Sequence, residues 1–455
     1  MKKKIMAILF STALVASLLI ACGGNGGGAE ADTGNGADAG AEETTETAET
    51  AETDDNDEAP PAEVDPGEVV TLRVLGSAGG HARHFEAIIP QFEAEGINII
   101  FDAFDFVTYE GRQRLAIAAG GGEYDLIFLP GNAVHTASRA GAVKNLDALM
   151  AELFPDESDI YDSTQRFFKF EGSWYAVPHS SETMILYYRT DLIDESELPT
   201  TMEELYDLAA SLMSDELYGL AIPGGPGEAG SSFYSYFLWS FGGEYFDENW
   251  EPQLNTPEAI AAAEMFARLN QDLAPVGVTT WQNEETVAAF SSGTLAMMIM
   301  WPGFFRSIDD PENSLVAGNV GVAPVPAGPA GARPRFGSWG LAATANTNYP
   351  EAAMRVLEIW GSQENLEAFS LAAASSSSKT VNALPSIREA NPVVDAATAL
   401  LNYADERPPI PEAAEINTAV GNAINSIIAG MDAETVLEAL NIEVRNILAA
   451  AGYFD

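Results

Sequence analysis

One cysteine in 455 residues excludes an intrachain disulfide and any thiolate cluster for zinc or iron–sulfur. Basic residues are scarce, 21 Lys and Arg against 68 Asp and Glu, for a formal charge of −47. DNA, RNA and bare anionic lipid surfaces require clustered cations, so polyanionic partners are excluded. Only four histidines are present. His81 and His84 could be ligands one helical turn apart, but no nearby carboxylate or third histidine completes a zinc site. A Walker loop, a G-x-S-x-G elbow and a dinucleotide fingerprint after the first strand are all missing. Carboxylate pairs for glycoside cleavage could hide among so many acids, yet nothing singles out one pair. No enzyme class, cofactor or metal is indicated.

The amino terminus, by contrast, is explicit. Lys2, Lys3 and Lys4 precede an apolar stretch from Ile5 to Ile20, the pattern of a secretory signal over residues 1–22. About sixteen apolar residues fall short of the roughly 20 that span a bilayer. Leu19-Ile20-Ala21-Cys22 resembles a bacterial lipobox, which implies cleavage before Cys22 and acylation of that cysteine. Residues 23–68 contain fifteen acids, no Lys or Arg and no aromatics, and are expected to form a disordered acidic linker. From residue 69 on, 53 acids face 18 bases, and the only lysines are Lys144, Lys169 and Lys379. High acidity with little lysine on an exported chain fits a saline or alkaline habitat.

The remaining length exceeds one ordinary core and predicts two lobes. Val69–Leu75 reads as a buried strand, residues 84–95 as a helix, Ile97–Phe104 as a second strand and Tyr124–Leu129 as a third. This alternation predicts an α/β fold with a largely parallel sheet, its ligands outside the carboxyl ends of the strands. The loops at Ser77 and at Pro130-Gly131-Asn132 fall on that edge. Thr201 with Glu204 three residues on predicts a capped helix to Met213. Leu295–Met300 and Val320–Pro326 read as strands, and helices are expected at 350–361, 363–372, 412–429 and 432–450. No internal repeat is visible.

Six segments, in order, resemble the family 1 extracellular solute-binding proteins, the sugar receptors of ABC importers. Tyr124-Asp125-Leu126-Ile127-Phe128 is similar to the family's third strand. Trp174-Tyr175-Ala176-Val177-Pro178 followed by Leu186-Tyr187-Tyr188-Arg189-Thr190-Asp191-Leu192 resembles its YAVP…LYYNKDL stretch. Pro199-Thr200-Thr201-Met202-Glu203-Glu204-Leu205 resembles a helix start, and Phe290-Ser291-Ser292-Gly293-Thr294-Leu295-Ala296-Met297 an Ala-Met strand. Ser338-Trp339-Gly340-Leu341 with Pro350-Glu351-Ala352-Ala353, and Ala429-Gly430 with residues 433–437, complete the set.

The resemblance implies a two-lobed periplasmic-binding-protein-like fold of type II, its discontinuous lobes joined by hinge strands. Residues 69–183 plus 341–400 would form lobe 1, and 184–340 plus 401–455 lobe 2. The implied function is a monomeric extracytoplasmic receptor, anchored to the membrane through Cys22. It would bind a sugar or oligosaccharide between the lobes and deliver it to ABC importer permease subunits.

Sugars present hydroxyls around an apolar ring face, so a site needs aromatic platforms and short polar side chains. Trp301, just past a strand, and Trp339, beside a predicted hinge, are the expected platforms. Trp174, Trp239 and Trp360 read as core. Glu182, four residues after Pro178, matches a sugar-contacting Glu of maltose-type members. Asn132 stands where those members carry an Asp, and Ser77 in a ligand-contact loop. Their stacking tryptophans correspond here to Gly303 and Asn417, so maltodextrin is not implied. Arg333, Arg335 and Arg407 remain possible anion contacts. A cationic polyamine-type ligand, or ferric iron on Tyr187-Tyr188, are the alternatives.

Overall fold

Strand β1 (Val70–Ser77) buries Leu72, Val74 and Leu75 completely, as expected of a strand covered on both faces. It opens the computed structural model, which describes residues 69–454; the leader, Cys22 and the acidic linker lie outside the described residues. Helix α1 (Gly80–Ala94) turns Phe85, Ile88 and Phe92 to one face, the spacing that lays an amphipathic helix on a sheet. Strand β2 (Ile97–Phe104) then pairs with β1 in parallel, Val70 opposite Ile97. Asp105 caps helix α2 (Phe106–Ala118) by accepting the Thr108 backbone N–H. Strand β3 (Leu126–Pro130) flanks β1 on its other side, again in parallel.

The segment expected to be a loop at residues 130–132 is instead the start of helix α3 (Gly131–Arg139). Pro130 holds the extended entry, and Gly131 lies against Phe167, Phe168 and Phe336, where a β-carbon would come within 3.4 Å of each. Asn132 therefore sits in a first helical turn.

The chain then leaves this sheet. Val177–Pro178 (β4) and Glu182–Thr183 (β5) lead into Ile185–Arg189 (β6), followed by Tyr218–Ala221 (β7) and helix α4 (Glu228–Ser240). Strands β8 (Leu295–Met300), β9 (Val320–Pro324), β10 (Phe336–Gly337) and β11 (Trp339–Ala343) follow. The two larger sheets are ordered β2-β1-β3-β11-β4 and β9-β6-β8-β7. The parallel expectation holds for β1–β3 in the first sheet and for the β7–β8 pair in the second. Strand β11 runs antiparallel to β3 and β4, because it re-enters the first sheet after the chain has built the second.

Each sheet has its own core. The first gathers β1, β3, β11 and the Trp174 and Trp360 rings; the second gathers β6, β8, α4 and helix α6 (Ala413–Ile428), with Trp239. All three of these tryptophans are buried, as read from the sequence. Helix α5 (Val393–Thr398), not expected from the sequence, lies between them: Val394 packs in the first core, Val393 and Ala397 in the second.

The chain passes between the cores at three points that lie side by side. Strand β5 pairs with β10, Glu182 opposite Gly337, and Arg335 bridges to Asp405. The Phe336 N–H donates to the Asp405 carbonyl at 2.6 Å. Beside this ribbon runs a buried serine seam, where the Ser375 hydroxyl donates to the Ser181 carbonyl at 2.5 Å and Ser377 to Pro178 at 2.8 Å.

In the second lobe, α6 meets the loop before α4 at Gly421, where a β-carbon would overlap the Gly227 carbonyl. Backbone cannot yield as a flexible side chain can. Gly421→Ala is expected to cost about 2–3 kcal/mol of stability as overpacking, read by urea unfolding. A change under about 0.5 kcal/mol would show that the contact relaxes freely.

Candidate ligand-binding cleft

The three passages lie between the two cores and define a candidate cleft, with side chains rising from the elements on either side. Gly337 has no side chain because the Trp301 ring lies on its backbone; a β-carbon there would meet the ring at 2.6 Å and the Glu182 side chain at 3.3 Å. Glu182 and Trp301 are thus neighbours at the β5–β10 ribbon. Behind them, the Tyr187 hydroxyl donates to the Trp301 and Pro302 carbonyls, at 3.0 and 3.1 Å, fixing the turn that presents the indole.

The wall from the first lobe is aromatic. Trp339, opposite Pro130 in register, stacks on His81 with ring centroids 4.4 Å apart, and Tyr109 and Phe106 lie at 5.6 and 6.3 Å. The His81 ring is tied to the Ser77 carbonyl. Ser77 and Trp339 therefore meet at His81, and Pro130, which leads into the α3 turn bearing Asn132, pairs with Trp339.

The second-lobe wall is ionic. Arg407, almost wholly buried, forks onto Glu228 at the start of α4, at 2.7 and 2.8 Å. Arg335 donates to Glu406 at 3.0 Å and to Ser232 at 2.7 Å, and its guanidinium sits 5.4 Å from the Trp301 ring centre. Glu110, on α2 of the facing lobe, feels Glu228, Arg407 and Arg335.

Burial sets the protonation states. It drives the Glu182 carboxyl up to about 8, so this acid is largely neutral at pH 7. Burial also lifts Glu110, with the Glu228 charge adding to the effect. The same desolvation lowers His81 to about 4. For Glu228 burial acts upward, but the Arg407 and Arg335 charges prevail and hold it below the ordinary carboxylate range.

Several buried polar atoms here have no protein partner: Oε2 of Glu182, Oδ1 of Asn132 and Nε2 of His81. Groups of this kind are ordinarily satisfied, so their convergence marks a place for a polar ligand or ordered water.

Of the six expected site residues, Glu182 and Trp301 meet at Gly337 and Ser77 and Trp339 meet at His81, while Asn132 lies two residues past Pro130, the partner of Trp339 in register. Asn417 is buried on α6, one turn before Gly421, with no contact placing it beside the others. The three arginines read as possible anion contacts are already paired with Glu244, Asp405, Glu406 and Glu228. Tyr187 and Tyr188 do not form an iron pair, since one hydroxyl serves carbonyls and the other ring fills the space over Gly321. Among the described residues no group of three or more His, Cys, Asp and Glu is placed to hold a metal ion.

Glu110 and Glu228 were not singled out by sequence, because one acid among 68 carries no local signal, and His81 was weighed there only as half of a zinc pair. Two pockets of about 260 and about 400 Å³ lie elsewhere on the first lobe, around Trp174 and Lys379. In the first, Lys169 pairs with Glu157, and in the second Lys379 donates to the Ser158 carbonyl at 2.8 Å; neither is lined by Glu182, Trp301, Trp339 or His81.

Comparison with known proteins gives the same picture. The family model described as bacterial extracellular solute-binding protein matches residues 78–367. A binding protein of Brucella abortus is 27% identical over 381 residues, covering 81% of this chain and 90% of that protein. A mannitol-binding protein of Pseudomonas aeruginosa is 27% identical over 264 residues, 56% of this chain and 60% of that protein. A crystal structure of an Agrobacterium radiobacter ABC transporter solute-binding protein, in complex with ribitol, superposes with a TM-score of 0.76 at 23% identity, covering 84% of this chain and all of that one. Two lobes, three crossings and a cleft with unmet polar groups thus accompany a family match over most of the folded chain: it belongs to the bacterial extracellular solute-binding proteins.

Proposed function

We propose that this protein is the receptor of an ABC importer for a carbohydrate or sugar alcohol, bound between the lobes. The observation that carries the reading is the pairing of two partly exposed tryptophans, Trp301 and Trp339, with unpartnered buried polar atoms of Glu182, Asn132 and His81. Aromatic faces cover the apolar side of a sugar while such groups take its hydroxyls. The mannitol and ribitol named for relatives fit the same chemistry.

On this reading the lobes divide at the three passages, residues 69–181 with 338–404 and 184–335 with 406–454. Ser77, Asn132, Glu182, Trp301 and Trp339 contact the ligand, and Asn417 supports α6 behind them. Closure is hinge motion about the β5–β10 ribbon, and the ligand stabilises the closed form by its differential affinity. Secretion, lipidation at Cys22 and the acidic linker would tether a monomeric receptor outside the cytoplasmic membrane, within reach of the permease subunits.

A thermal-shift panel of sugars, sugar alcohols, polyamines and Fe(III) tests the reading. A saccharide or polyol at 100 times its Kd should add about 2.7 kcal/mol of stability. Stabilisation by spermidine or iron and by no saccharide or polyol would sink it. Trp301→Ala is expected to abolish that response while leaving a folded protein, and an unchanged affinity would remove Trp301 from the site.

A further inference from the structure

We infer that the ligand of this cleft carries a protonated amine, held by the Glu182 carboxylate beside the Trp301 ring. The inference rests on the carbohydrate reading of the same cleft and narrows it to an amino sugar or amino polyol.

Glu182 lies in the β5–β10 ribbon, and its buried Oε2 atom has no hydrogen-bond partner. Among the described residues no cation serves it. Arg335 is engaged with Glu406 and Ser232, Arg407 with Glu228, and Arg333 with Glu244 and Asp405. Burial alone accounts for the upward displacement of the Glu182 carboxyl, with neither a basic nor an acidic neighbour contributing. A carboxyl oxygen buried without a donor is an unmet demand for a positive or donating group.

The neighbouring surface suits a cation. The Trp301 indole already attracts one, the Arg335 guanidinium over its ring, and an aromatic face beside a carboxylate is an arrangement that binds ammonium groups. At longer range, 53 acids against 18 bases from residue 69 on give a negative field that concentrates cations. An anionic sugar would meet the reverse: Arg335 and Arg407 are already paired with carboxylates, and Glu110 faces them. A neutral sugar would leave Glu182 protonated, with a hydroxyl as its sole partner.

The test uses isothermal titration of the purified full chain at pH 7. Glucosamine, galactosamine and mannosamine are compared with glucose, galactose and mannose. One amino sugar should bind at least tenfold more tightly than its parent. In Glu182→Gln the ratio between that pair should collapse to about one, whatever happens to either affinity alone. This variant removes a buried acid at nearly constant volume, so its unfolding midpoint should not fall.

A parent sugar that binds as tightly as its amino form overturns the amine while leaving the carbohydrate reading intact. Retention of the full ratio in Glu182→Gln overturns the role of Glu182. Failure of all six compounds overturns the proposal together with the reading on which it rests.

Discussion

Arg407→Ala is expected to lower the unfolding free energy by about 3 kcal/mol, because it leaves the mostly buried Glu228 carboxylate without its two-armed partner. Arg407 is 2% exposed, and both arms of its guanidinium reach Glu228, at 2.7 and 2.8 Å, with Ser231 at 3.3 Å. Without it the nearest remaining cation is Arg335, at 3.6 Å from the same carboxylate and already bonded to Glu406. Arg407→Lys should be intermediate, since an ammonium cannot make the two parallel bonds. Arg407→Met with Glu228→Gln should recover most of the loss, because the penalty lies in the uncompensated charge rather than in the missing pair. Urea unfolding measures all three. A loss below about 1 kcal/mol for Arg407→Ala would mean that water reaches Glu228 and the wall is not closed.

Acid should destabilise the fold between pH 6.5 and pH 4, before most carboxylates titrate. His81, His84 and His179 form a nest with Trp360, Phe128 and Phe369, ring centroids 4.5–5.9 Å apart. Burial lowers His81 and His84 to about 4 and His179 further, with the neighbouring histidines adding to its shift. These groups are neutral in the fold and take up a proton below 6.5 when unfolded. Their contribution is therefore complete above pH 6.5 and is lost as pH falls towards the folded value. For His81 the displacement corresponds to roughly 3 kcal/mol.

Glu182 acts in the opposite sense. Its raised carboxyl costs stability as pH climbs from about 4.5 to about 8, so it masks part of the histidine slope. Glu182→Gln should make the acid dependence steeper, and His179→Leu should make it shallower. A stability curve that is flat from pH 6.5 to 4.5 in Glu182→Gln would contradict the buried neutral nest.

How much of this the sequence disclosed depended on the range of the interaction. Val70–Ser77 and α1 were legible because burial on one side of a period writes itself into consecutive residues. The Thr201 cap was legible for the same reason, as the hydroxyl and Glu204 are three residues apart. The antiparallel return of β11 was not, since its orientation is set by a lobe of more than 150 intervening residues. Likewise Arg407 and Glu228 are 179 residues apart, and nothing in either neighbourhood names the other.

Among the site residues, Trp301 and Trp339 could be picked out as aromatics at strand ends. Glu182 came from resemblance alone and Asn132 from resemblance and its place on the predicted strand edge, and the structure adds that each holds a buried polar atom without a partner. His81 is instructive in the other direction. Sequence weighed it as half of a zinc pair, whereas it is the ring on which Trp339 rests.

The central claim is tested most directly by titrating the full chain with the polyol or saccharide that shifts its melting temperature most. One molecule should bind per chain, with micromolar or tighter affinity, and Trp301→Ala with Trp339→Ala should remove the heat of binding while the protein still unfolds cooperatively. Binding that survives the loss of both indoles, or the absence of any carbohydrate or polyol that binds, would contradict a carbohydrate cleft between the lobes.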